Sequence, residues 1–334
     1  MATATEDVTN IFHELGTLER SFAEVEIDAL RRKEQALKPL YTRRNKLLSR
    51  VPDFWPTVFG NGPEDVRQFI SPNDLQLLSS ITSFSVERYQ IKSETDGEPR
   101  SLRFTFEFAD NDIIEDKKLV KEFEYHAAEA GPGSMVSKPV AIKFKNKKKD
   151  LTSGLLNAAA ELYQAEEVLK LKSGDDREIN IVDREALWQY EKLREKLSQL
   201  DEDADMETSF FAWFGFRGAV NATDKGKPVD ANGVDGAEDE DEDEDDDEFS
   251  ELLEVEVFPA GEEVAIALAE ELWPDAIDYF VSAQEEVADD FDGMDEGEPS
   301  DDENAPELVE VAEDDDDDDD DADQDRPHKK QRKA

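Results

Sequence analysis

The sequence predicts an α+β protein: a long N-terminal helix, then a four-stranded antiparallel β-meander packed by helices, with an acidic disordered loop and an acidic tail. Three observations predict it. Apolar residues before position 50 recur with helical heptad spacing. Four segments between residues 84 and 144 alternate apolar and polar residues. The negative charge, a net of −49, gathers toward the C-terminal end.

In the first element, Ile11, Leu15, Leu18, Phe22, Val25 and Ala29 alternate steps of four and three. This mean period of about 3.5 makes two helices coil around each other. The pattern continues less strictly through Ala36, Leu40 and Leu47. Residues 1–8 read as disordered and residues 9–50 as the helix, roughly 60 Å long at ~1.5 Å per residue. Pro39 is expected to kink it. No second comparable heptad offers an intramolecular partner, so the seam is expected to pair with the same helix of a second copy, giving a homodimer.

A domain over residues 51–283 follows. Val51-Pro52-Asp53-Phe54-Trp55-Pro56 ends the helix, with Phe54 and Trp55 plugged into the domain. Residues 63–81 read as one or two short helices, with Pro63 and Pro72 at starts. A first strand runs from Phe84 to about Lys92, with a turn at Asp96-Gly97. Leu102, Phe104, Phe106 and Phe108 form a second strand, apolar on one face and polar on the other. Leu119, Phe123 and Tyr125 mark a third, and Val140, Ile142 and Phe144 a fourth. Helices return after Asp150 or Thr152, either of which could cap. Phe210, Phe211, Trp213, Phe214 and Phe216 read as core.

More than half of the 87 acidic residues lie after residue 228, with only a handful of the 38 basic ones. Such blocks repel themselves and cannot bury apolar surface, so they serve as interaction tails. The first acidic block, residues 221–250, is expected to be a disordered insertion, because foldable sequence resumes with Val255, Val257 and Phe258 and runs to Phe280. The second spans 284–334 and closes with a basic cluster. There is no cysteine, which excludes disulfides and thiolate metal sites. The first ten residues do not resemble a signal peptide, and no stretch approaches the ~18 apolar residues of a membrane span. The sequon at Asn221 is therefore read as without consequence.

No catalytic constellation emerges, and an enzyme is not expected. His13, His126 and His328 show no sign of converging, and there is no Gly-rich phosphate loop. Asp230-Ala231-Asn232-Gly233-Val234-Asp235 imitates a calcium loop, but Val234 stands where a ligand belongs and Asp235 where glycine is required. No cofactor, dedicated metal, small-molecule substrate or membrane partner is expected.

Four local patterns carry a resemblance. They are Leu37-Lys38-Pro39-Leu40-Tyr41-Thr42-Arg43-Arg44 running into Val51-Pro52-Asp53-Phe54-Trp55; Phe104-Thr105-Phe106-Glu107-Phe108 with Asn111 and Leu119-Val120-Lys121-Glu122-Phe123; Ile142-Lys143-Phe144-Lys145 with Lys149-Asp150-Leu151-Thr152; and Ser209-Phe210-Phe211-Ala212-Trp213-Phe214 with Leu272-Trp273-Pro274-Asp275-Ala276-Ile277-Asp278-Tyr279-Phe280. In this order, over about residues 10–283, they resemble the nucleosome assembly protein family, within it the SET or template-activating-factor type, with a fungal-like cast. Residues 155–205 and the acidic loop look longer than in that type, and Asp112-Ile113-Ile114 lacks its usual proline and aromatics.

The resemblance implies a headphone-shaped dimer of earmuff domains that binds core histones, assists nucleosome assembly and disassembly, and acts in the nucleus, with the cytoplasm a second location. The alternative it implies is a regulatory inhibitor or cofactor of a chromatin enzyme, a phosphatase or a histone acetyltransferase; a third reading is a nonspecific acidic buffer. A polyanion competes with phosphate for the lysines and arginines of histones. The expected carboxylates are Glu107, Asp110, Asp112, Glu115, Asp116, Glu122 and Glu124 on the sheet and its loop, each of which could equally be a solvated face. With them go Glu238, Asp239, Glu240, Asp241, Glu242, Asp243, Glu244, Asp245, Asp246, Asp247 and Glu248 in the insertion, and Asp314, Asp315, Asp316, Asp317, Asp318, Asp319, Asp320 and Asp321 in the tail. Lys143, Lys145, Lys147, Lys148 and Lys149 form a basic run that could touch DNA phosphate weakly or pair with the chain's own acidic loop. Lys329, Lys330, Arg332 and Lys333 read as a nuclear import signal, or as a charge run without a receptor.

Overall fold

The computed structural model describes residues 2–127, 133–173, 181–202, 208–218 and 255–292. Helix α1 spans Ala2–Leu48, 47 residues or roughly 70 Å at ~1.5 Å each. It begins before the expected start at residue 9 and runs without interruption through Pro39. Asp53, in the left-handed region at φ 53°, reverses the chain into α2 (Phe54–Gly60). Short helices α3 (Glu64–Arg67) and α4 (Leu75–Leu78) lead into the sheet.

The sheet is a four-stranded antiparallel meander in the order β1 (Ile81–Glu87), β2 (Leu102–Phe108), β3 (Lys118–His126), β4 (Ser134–Ser137). Between β1 and β2 the chain turns at Gly97, φ 103°, where a Cβ would lie 2.0 Å from the Gln90 carbonyl oxygen. Two strand boundaries differ from the sequence reading. The first strand ends at Glu87 rather than Lys92. The fourth strand lies before Pro139, not at Val140–Phe144. Proline has no N–H to give a ladder, so pairing with β3 stops there. Beyond it the Val140 N–H donates to the Phe214 carbonyl (2.8 Å), and Lys143–Lys145 pairs instead with Ile113–Glu115, the loop between β2 and β3. Ile142 is still buried, so the alternation reported its inward face correctly.

Helices α5 (Leu155–Ser173), α6 (Ile181–Glu185) and α7 (Trp188–Glu202) follow. A 3-10 turn, Phe210–Gly215, then puts Trp213 against Phe104 (5.2 Å) and Phe123 (5.3 Å) on the apolar face of the sheet. Asp74, fully buried, locks this turn to α4: its carboxylate accepts from the N–H of Ser71 and of Phe210, both 2.9 Å, and from the Ser209 hydroxyl. The chain closes with α8 (Gly261–Ala267), a π turn (Leu268–Leu272) and α9 (Ala276–Asp292). Thus α9 runs past residue 284, where the tail was expected to begin. Phe54 stacks on Phe280 at 4.9 Å, so the residues that end α1 are plugged into the core as expected. The chain divides into a unit Met1–Asp289, which holds all of these elements but the end of α9, and a unit Asp290–Ala334.

Candidate interaction surface

The polar face of the sheet is built by register. Arg103 on β2 stands opposite Glu87 on β1 and Glu122 on β3. Its Nε lies 2.6 Å from Glu122 Oε1 and its Nη1 3.3 Å from Glu87 Oε2. Glu107 faces Lys118 at 3.7 Å. These pairs are exposed, so each is worth only about 0–1 kcal/mol and can exchange for another cation. A hydrogen bond from Lys38, which reaches over from α1, holds the Glu87 carboxyl below its ordinary range, with Arg103 adding to the effect. Glu124 has no ion-pair partner among the described residues.

The loop between β2 and β3 is shaped by Asn111. Its side-chain oxygen accepts from the N–H groups of Ile113 and Ile114, both 2.9 Å. Those isoleucines are buried, which turns Asp112 and Glu115 out to solvent. Asp110 pairs with Lys117 at 3.0 Å, which lowers its pKa, and Asp116 accepts the Lys143 N–H at 2.7 Å. Asp112 and Glu115 make no ion pair among the described residues.

The basic run packs on this same loop. Lys145 donates to the Asn111 carbonyl, and Lys149 donates to that of Asp112 at 2.7 Å. Lys147 and Lys148 project from a 3-10 turn, Lys147–Lys149, capped by Asn146. One end of the sheet therefore carries carboxylates and ammonium groups that are unpaired among the described residues. Sequence reading had placed both groups but not their adjacency, which follows from the Pro139 break.

Along α1, Ile11, Leu15, Leu18, Phe22 and Val25 are between 46% and 67% exposed, and Ala29 is exposed. Contiguous exposed apolar stripes of this kind are the surfaces that mark interaction sites. The residues Glu238–Glu248, Asp314–Asp321, Lys329, Lys330, Arg332 and Lys333 lie outside the described residues, as do the insertion 221–250 and the tail beyond Asp292. His13 lies on α1 and His126 ends β3. Among the described residues there is no cluster of three His, Cys, Asp or Glu able to hold a metal, and no helix long and apolar enough to cross a membrane.

Sequence reading missed a buried ionic group at the root of the insertion. Lys121 is fully buried and donates to the carbonyls of Lys138 (2.9 Å), Phe214 (3.0 Å) and Phe216 (2.6 Å). Three acceptors call for three N–H groups, an ammonium; burial pulls its pKa down, and the Glu256 carboxylate opposes that. Burial likewise pulls down Arg217, but Glu166, bidentate at 3.1 and 2.6 Å, outweighs it and raises the pKa. Glu256, its own pKa pushed up by burial, accepts the N–H groups of Arg217 and Gly218. The two ends of the insertion are thereby tied to β3 and to each other. A signal was present: Lys121 shares strand parity with Leu119 and Phe123.

Comparison with known proteins fits this architecture. The model of the nucleosome assembly protein (NAP) family matches residues 5–283. The chain belongs to the nucleosome assembly protein family. NAP-family relatives include Protein SET of Drosophila melanogaster, 29% identical over 128 residues, 38% of this chain and 45% of that protein. NAP1-related protein 2 of Arabidopsis thaliana is 26% identical over 257 residues, 77% of this chain and 67% of that one. The chain matches 46% of the length of a Schizosaccharomyces pombe relative and 45% of Protein SET, so it spans about half of these curated relatives. The crystal structure of Vps75 superposes with a TM-score of 0.51 at 19% identity, covering 83% of this chain and 99% of that one, which establishes a shared fold.

Proposed function

We propose that this chain is a homodimeric histone chaperone that binds core histones through acidic surfaces and assists nucleosome assembly and disassembly in the nucleus. The observation that carries the reading is the family match over residues 5–283, the stretch that includes nearly all of the described fold. The charge supplies the mechanism. A polyanion competes with DNA for histone lysines and arginines, speeds association and weakens with salt. Geometric selectivity comes from the folded domain, where Asp112, Glu115 and Glu124 make no ion pair among the described residues and Glu107 and Glu122 can exchange partners. Pairing of the α1 stripe with a second copy would bury large side chains worth ~1.5–3 kcal/mol each before entropy is subtracted. Lys147 and Lys148, unpaired among the described residues, would make a weak contact with DNA phosphate next to the bound histone.

The test is plasmid supercoiling. Relaxed circular DNA, core histones and a topoisomerase are combined with and without the full chain. The expected result is a ladder of supercoiled forms that grows with the amount of chain added. Aggregation of histones on DNA at every ratio, with no supercoils, contradicts the chaperone reading.

A further inference from the structure

Helix α5 is apolar on two sides, the pattern of a helix packed on two sides. Leu155, Ala158, Ala159 and Leu162 are buried in the domain, which accounts for one stripe. The second stays open: Val168 is 48% exposed and Leu171, one turn on, 82%. Helix α7 packs beside α5 and opens with Trp188, which is 65% exposed although Lys192 lies over its ring at 5.6 Å. Between the two helices runs a groove of about 400 Å³, lined by Ala165, Val168, Leu169, Leu187 and Trp188. Gln189 lines it too, and its buried Oε1 has no hydrogen-bond partner among the described residues. An apolar cleft holding one unmet acceptor has the make-up of a binding site, not of a solvated face. It lies in residues 155–205, the stretch that looks longer than in the SET type.

The walls decide the form of the occupant. Both are helices, α5 of 19 residues and α7 of 15, and a cleft between two packed helices takes the side-chain ridge of a third. The charges decide its sign. Lys170, Arg184 and Lys192 are paired with Glu167 (3.5 Å), Glu166 (2.9 Å) and Glu161 (2.5 Å), and Lys196 donates to the Ser153 carbonyl (2.9 Å). Glu185, Glu191 and Glu195 are exposed and make no ion pair among the described residues. Helical spacing puts Glu191 and Glu195 on the Trp188 face of α7, and Glu185 ends α6 just before it. The open rim of the groove is therefore anionic, while those four cations are engaged. A second copy of this chain would bring the same carboxylates and a net charge of −49 against that rim, which disfavours it as the occupant.

We propose that the groove between α5 and α7 docks an amphipathic helix of a basic partner protein, with apolar side chains seated between Val168 and Trp188 and lysines or arginines against Glu185, Glu191 and Glu195. This inference rests on the reading above that the partners are basic. It adds a site at which shape and apolar contact, and not charge alone, select them.

The experiment titrates the full chain, at about 0.3 M salt to screen the acidic segments, with three fluorescent peptides of equal length. The first is a leucine–lysine helix with its leucines in one stripe. The second has the same composition with the stripe scrambled, and the third keeps the stripe but carries glutamate in place of lysine. The first is expected to bind about thirtyfold or more tighter than either of the others, as one well-seated anchor at an interface centre supplies. Binding of the second or the third as tight as the first overturns the proposal. A Val168→Asp, Trp188→Ala double variant changes two exposed side chains of the groove, and its fold is checked by circular dichroism. It is expected to remove the preference, and a preference that survives it overturns the proposal. Changing Glu185, Glu191 and Glu195 together to glutamine is expected to weaken the first peptide about fivefold or more; unchanged binding overturns the basic occupant. A double variant that loses mass by light scattering makes the groove a contact between copies, which also overturns the proposal. Core histones titrated in parallel separate the two failures. Histone binding without peptide discrimination removes the groove alone, whereas no histone binding removes the chaperone reading.

Discussion

Trp55 and Trp273 stack nearly parallel, ring centroids 5.9 Å apart and planes 10° from each other. One directly follows the long helix; the other lies beyond the acidic insertion. Arg44 joins them from α1, its guanidinium 4.2 Å from the Trp273 ring and its Nη1 donating to the Pro274 carbonyl at 3.0 Å. The returning segment therefore closes the core and seats the helix. Trp273→Ala is expected to destabilise the domain by about 3–5 kcal/mol, as large-to-small core changes do. Denaturant unfolding followed by far-ultraviolet circular dichroism checks it; a loss under about 1 kcal/mol would mean the segment is an appendage.

The exposed stripe on α1 predicts assembly. A Leu15→Asp, Phe22→Asp double variant puts carboxylates in the seam and is expected to halve the mass measured by light scattering at micromolar concentration, with the domain still folded. An unchanged mass would show that the stripe is not the dimer interface.

Lys121→Met tests the root of the insertion. It leaves three carbonyls without their donor in a buried place, and a loss of about 3 kcal/mol or more is expected. Thermal and denaturant midpoints measure it. A neutral result would show that those carbonyls find other donors.

The Lys38–Glu87 bridge ties α1 to the sheet and predicts a pH dependence. The Glu87 pKa is lowered in the folded state, first by the Lys38 hydrogen bond. Below its ordinary value of 4.5 the unfolded chain binds the proton first. The bridge's contribution is thus present above that value and lost as pH falls through the folded pKa. Glu87→Gln is expected to flatten the acid limb of stability against pH; a limb of unchanged slope would assign it to other carboxylates.

Much of the fold was legible in the sequence because period speaks directly to burial. Leu102, Phe104, Phe106 and Phe108 gave their strand to the residue, and the aromatic run from Phe210 went to the core. What was not legible was long-range. Nothing local says that Pro139 ends one pairing and that Lys143–Lys145 then finds Ile113–Glu115, and the adjacency of the acidic loop and basic run depends on that. The buried role of Lys121 was visible in its parity with Phe123, yet its three acceptors come from two distant segments. Asp112, Glu115 and Glu124, unpaired among the described residues, could be separated from the bridged Glu107 and Glu122 only by the strand register and by the Asn111 loop.

The central claim is that acidic segments attract histones while the folded domain selects them. Its most direct measurement is equilibrium binding of purified core-histone complexes over a salt series. The full chain is compared with one variant in which Asp314–Asp321 are changed to asparagine and another in which Asp112, Glu115 and Glu124 are. The account predicts saturable binding by the full chain, a shallower salt dependence for the tail variant, and weaker discrimination between histone complexes for the domain variant. Absence of saturable histone binding by the full chain at about 0.15 M salt, where charges within ~8 Å still interact, would contradict it.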